Sequence, residues 1–142
     1  MDDAEARDFF ITLKSQVESD QAILEKLLRS LKMNSSGPLL VASEVTSRIG
    51  RLRLMWKGFK PGEMGLLEGL ELLALGIQGK RLLWLALKEL SPLYPEWNDV
   101  DFTTLELEAI RQRDGVEKRR LQAVRKTLPS SERKAMPPKI QI

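Results

Sequence analysis

GLLEGLELLALGIQGKRLLWLALKEL, residues 65–90, is leucine-dense in the manner of a core helix, yet Gly65, Glu68, Gly69, Glu71 and Gly76 interrupt it. The stretch runs without a breaker to SPLYP, where Pro92 and Pro95 forbid continuation and push their predecessors out of the helical region. A helix over about 62–90 follows. At about 100° per residue, Gly62, Gly65, Gly69, Gly76 and Gly79 share about a third of its circumference. Each glycine costs about 1 kcal/mol of helix stability against alanine. A stripe of them therefore predicts a close helix–helix crossing, with a groove for a flat cofactor or an acyl chain as the alternative.

Outward from this segment the same periodicity recurs. Phe10, Leu13, Val17, Leu24, Leu28 and Leu31 return every three or four residues, or at multiples of that spacing, and predict a helix over about 4–32. MNSSGP breaks it, with Ser36 or Gly37 placed to cap a second helix over about 38–56 whose inner stripe is Leu40, Val41, Val45, Ile49 and Leu52. KGFKPGEMG, residues 57–65, holds a turn. Asp99 or Asp101 caps a fourth helix over about 101–128, with Phe102, Leu105, Ala109, Ile110, Val116, Leu121 and Val124 facing inward and Asp114-Gly115 weakening its middle. Residues 129–142 lack periodicity and read as a mobile tail. Four helices with short connections predict an all-α, antiparallel four-helix bundle over 1–128.

Composition narrows the chemistry. The chain of 142 residues is 42% hydrophobic and 30% charged, with no cysteine and no histidine. Disulfides, thiolate and imidazole metal sites, and Ser-His or Cys-His nucleophile pairs are thereby excluded. A non-enzymatic protein without cofactor or metal is the expectation. The start, MDDAEARDFF, lacks the basic-then-apolar pattern of a secretory signal, and Glu68, Glu71, Lys80, Arg81 and Lys88 would each be costly in lipid. A cytoplasmic location is expected. The formal net charge is +3, and its basic excess is local to residues 35–60 and 99–142.

Three constellations stand out. Glu68 and Glu71 share a face with Gln78, Leu75 and Leu82, and Asp20 sits where its helix calls for an apolar residue. Arg113, Glu117 and Arg120 project from one side of the fourth helix. Convergence of these six predicts a buried carboxylate–arginine network that fixes helix register and adds little net stability. Arginine there disfavours a metal. Finally, Arg48, Arg51, Arg53, Lys57 and Lys60 surround Met55, Trp56 and Phe59, a basic and aromatic surface of the kind that nucleic-acid backbones and anionic membranes favour. A solvated helix end is the plainer reading of that cluster.

GRLRL, the 66–90 segment and DFTTLELEAIRQRDGVEKRRLQ together resemble a family of uncharacterised bacterial helical proteins of ferritin-like appearance, most closely over residues 48–90. The resemblance implies a fold and no activity. Where ferritin-like iron sites carry Glu-x-x-His, this chain offers Glu18-x-x-Gln21 and Glu68-x-x-Glu71. It also implies a further helix before the first in such relatives, so an apolar face is left for a second chain to cover. The expectation is a helical-bundle protein acting through protein–protein contact, as a homodimer joined through helix 1 or helix 3. A bundle binding a small amphipathic ligand, and peripheral binding to nucleic acid or anionic membrane through residues 48–60, are the alternatives.

Overall fold

The computed structural model describes residues 3–33, 39–58 and 65–128. They form four α-helices: α1 (Asp3–Met33), α2 (Leu39–Gly58), α3 (Leu66–Leu90) and α4 (Phe102–Lys126). Two 3-10 turns, Ser91–Leu93 and Pro95–Trp97, join α3 to α4. The fold is all-helical among the described residues. The expected tail, the caps at Ser36 or Gly37, and Gly62 lie outside them.

Prolines decide where α3 stops. Pro92 and Pro95 each enter a 3-10 turn, and the Ser91 hydroxyl donates to the Lys88 carbonyl at 2.8 Å, satisfying one of the orphan acceptors at the helix end. Of the two candidate caps, Asp101 starts α4: its carboxylate accepts the Thr104 backbone N–H at 3.1 Å and the Thr104 hydroxyl at 2.7 Å. Between the two helices, Tyr94 stacks on Trp97 with ring centroids 4.2 Å apart, while Phe102 lies near both Trp84 and Trp97. Trp97 donates its indole N–H to Ser30, which ties this corner to the C-terminal part of α1.

The core is a set of stripes spaced by three and four residues. α1 buries Leu13, Val17, Leu24, Leu27, Leu28 and Leu31; α2 buries Val45, Ile49 and Leu52; α3 buries Leu70, Leu73, Ile77, Leu83, Trp84 and Leu87. On α4 the buried residues Phe102, Ala109, Val116 and Ala123 recur every seventh position. Leu121, expected inside, is exposed instead, because it lies off this heptad stripe. The helix also runs unbroken through Asp114-Gly115. Gly115 is where the Phe9 ring of α1 comes closest: a Cβ there would stand 3.0 Å from it.

α3 and α4 pack most closely. Along their seam Gln78 meets Arg113, Arg81 meets Glu106 and Trp84 meets Phe102, so positions ascend on one helix as they descend on the other. α2 crosses α3 at the glycines. A Cβ on Gly76 would stand 3.2 Å from the Met55 sulfur and 3.4 Å from the Trp56 ring, and one on Gly79 would stand 3.3 Å from Leu52. Gly69 is buried, whereas Gly65 precedes α3 in the open. The stripe thus serves helix packing at Gly76 and Gly79.

Two substitutions separate these roles. Gly50, in mid-helix with open space around its missing Cβ, gains about 0.5–1 kcal/mol of stability on Gly50→Ala. Gly76→Leu overpacks the crossing and loses about 1–3 kcal/mol. Urea unfolding followed by circular dichroism reads both, and midpoint shifts of the same sign would contradict the assignment.

Candidate functional site

The α3 stripe that carries Leu73, Ile77, Trp84 and Leu87 inward carries Lys80 with it, because Lys80 stands three residues after Ile77 and four before Trp84. Lys80 is 1% exposed. Its ammonium donates to the Asp20 carboxylate of α1 at 2.5 Å and to the Gln112 side-chain oxygen of α4 at 2.5 Å. Asp20 and Gln112 are themselves buried, at 5% and 6% exposure, each at a stripe position of its own helix. Gln112 in turn donates to Gln16 at 3.0 Å, which carries the chain of bonds to the surface. α2 contributes the Trp56 ring, whose centroid lies 6.0 Å from the ammonium. All four helices therefore meet in one polar layer.

Burial governs the electrostatics. It raises the Asp20 pKa above its usual 3.8, against the pull of Lys80. It lowers the Lys80 pKa below its usual 10.5, opposed by Asp20 and, more weakly, by Glu108. Each group is pushed toward its neutral form.

Of the six residues expected in one network, Asp20 alone joins this layer, while Glu71, Arg113, Glu117 and Arg120 act on one another apart from it. Glu68 and Glu71 are exposed, since their face of α3, with Leu75 and Leu82, turns to solvent. Arg113 reaches Gln78 and Asp114, both at 3.3 Å. Arg120 grips Glu117 one turn away at 2.8 and 2.5 Å, a bond that lowers the Glu117 pKa and raises that of Arg120. That pair is partly solvated and adds little to stability.

The basic and aromatic cluster is divided in the same way. Arg53 pairs with Glu25 of α1, Arg48 and Trp56 are half-buried, and Arg51 and Lys57 face solvent. Phe59 and Lys60 lie outside the described residues. Lys80 and Gln112 were not anticipated. The available signal was a polar residue interrupting an apolar stripe, the same signal that marked Asp20.

Beside the layer, a cleft of about 310 Å³ opens between α1 and α4, with Phe9, Leu13, Gln16 and Gln112 among its walls. Between α1 and α2, a groove of about 440 Å³ is bounded by Leu24, Leu52 and Trp56, with Glu25 and Arg53 beside them. Among the described residues no group of three acidic side chains could hold a metal ion, and no helix is long and apolar enough to cross a membrane.

No family model, curated protein or solved structure matches the chain. The reading of the site rests on its geometry.

The geometry has measurable consequences. Lys80→Met alone strands a buried carboxylate, and urea unfolding at neutral pH will show a loss of about 3–5 kcal/mol. Asp20→Leu added to it recovers that loss in full or more, because no unpaired charge remains.

The pH dependence follows from the two shifts. The Asp20 pKa is raised, so its contribution to stability is present below 3.8 and is lost as pH rises through the folded-state value. The Lys80 pKa is lowered, so its contribution is present above 10.5 and is lost as pH falls through the folded-state value. Unfolding measured from acid to alkaline pH will find the native chain weakest, relative to the double variant, between the two ionisations. A difference independent of pH would contradict the burial of the pair.

Proposed function

We propose that the chain is a non-enzymatic, cytoplasmic helical-bundle protein that acts through protein–protein contact, first with a second copy of itself. In this reading the helices form an antiparallel four-helix bundle of ferritin-like appearance, without iron chemistry. Pairings of α2 with α3 at Gly76 and Gly79, of α3 with α4 at Gln78 and Arg81, and of α1 with α4 at Phe9 and Gln16 support that arrangement.

The observation that carries the reading is the outward face of α3. Leu75 and Leu82, seven residues apart on one side of the helix, are 63% and 44% exposed. Leu107 and Leu121 of α4, the closest neighbour of α3, are also exposed. Single exposed leucines are ordinary, but two on one helical line, with Glu68 and Glu71 beside them, give an apolar strip with a polar margin, as protein interfaces have. The glycine stripe supports the same choice, because α2 fills the space at Gly76 and Gly79 that a ligand would need.

The cleft between α1 and α4 favours a second reading, a small amphipathic ligand lying against Phe9 and Leu13 with its polar end at Gln16 and Gln112.

Light scattering coupled to size exclusion, over a wide dilution range, tests the first. The native chain is expected to run as a dimer, and Leu75→Glu with Leu82→Glu as a monomer of unchanged helicity. A native chain that is monomeric at every concentration would overturn self-association and move attention to the cleft.

A further inference from the structure

The apolar stripes by themselves specify little about register. Leu13, Leu24, Leu27 and Leu31 of α1 are chemically equivalent partners for Leu70, Leu73, Leu83 and Leu87 of α3. A slide of one heptad, about 10 Å along the axis, would again set apolar side chains against apolar ones. The same slide would strand Asp20 among apolar side chains and leave Lys80 facing a leucine. Asp20 would then lack any partner, and Lys80 would lose its bonded carboxylate and keep only the neutral Gln112 oxygen, a costly change in a core.

We infer that Asp20, Lys80 and Gln112 form a register lock, which selects one axial position of α1 against α3 and α4 and does so at the expense of stability. The groups facing the ammonium account for every helix. Asp20 comes from α1 and Gln112 from α4, where Glu108 also acts on it, while α2 supplies the uncharged Trp56 ring. Asp20 is the one buried acid among the described residues, with Leu13 and Leu27 a heptad to either side of it on α1, so one register brings a carboxylate to Lys80. α2 is fixed by different means, through the close approach of Met55, Trp56 and Leu52 to Gly76 and Gly79. The lock therefore acts chiefly on α1 and α4. It also restricts what can be seated on α3 and α4 in place of α1: a helix must bring an acid to the level of Lys80, as α1 of a second copy would.

A triple variant tests this, with Asp20→Leu, Lys80→Leu and Gln112→Leu. Its urea midpoint is expected to rise above that of the native chain. At the same time its amide spectrum should lose dispersion, and light scattering should find more than one species. A reversed pair, Asp20→Lys with Lys80→Asp, keeps one acid and one base at the same level, with the Gln112 amide able to turn and donate. It is expected to give the same mass and the same spectral dispersion as the native chain. The inference is overturned by a triple variant that keeps the native mass and dispersion or has a lowered midpoint, and equally by a reversed pair no better ordered than the triple.

Discussion

A lysine ammonium stays in this core only because two other helices bring oxygen acceptors to it. Lys80 is enclosed at 1% exposure with Asp20 and Gln112 each 2.5 Å away. Removing such charges from water costs several kcal/mol per ion, and their attraction in the interior returns that cost only where the geometry is good. Asp20 of α1 and Gln112 of α4 must therefore arrive at the same level of α3. The constraint acts on whole helices, since an α-helix cannot move one residue along its axis without moving the rest.

α3 is the element through which these demands are reconciled, and its circumference shows how. Leu70, Leu73, Ile77, Lys80, Trp84 and Leu87 face the core. Gly76 and Gly79 turn toward α2 and let Met55, Trp56 and Leu52 come near the backbone. Gln78 and Arg81 face α4, bonding Arg113 and pairing with Glu106. What remains is the line of Leu75 and Leu82. The glycines and leucines that make the segment look irregular as a core helix are sorted by the face on which they fall.

Much of this was legible before any coordinates. Pro92 and Pro95 end α3 and Asp101 caps α4 for local reasons, and local chemistry is what a sequence displays directly. The buried stripe of α1, and Val45, Ile49 and Leu52 of α2, follow from spacing alone, while the side chains of Leu40 and Val41 lie outside the described residues. Residues that depend on a partner far along the chain were harder to read. Lys80 lies 60 positions from Asp20, and its place in an apolar stripe shows that it turns inward without showing what it meets there. Glu68 and Glu71 share their face with Leu75 and Leu82, and leucine there implied burial, yet all four are exposed. Periodicity identifies which residues share a side; it does not say which side meets the neighbours when two sides both carry leucine.

Groups with strongly perturbed ionisation often mark sites of chemistry, although structural ion pairs perturb pKa values by the same physics. Enclosure distinguishes the two cases here. A general acid, base or amine nucleophile must reach its substrate within hydrogen-bond distance, and Lys80 meets protein on all sides, its two short bonds directed at Asp20 and Gln112. Its lowered pKa and the raised pKa of Asp20 both have burial as their first cause. The same burial that shifts these groups keeps them from acting on anything outside. Their effect reaches the surface through the helices they align, and the outward line of Leu75 and Leu82 is held in place by that alignment.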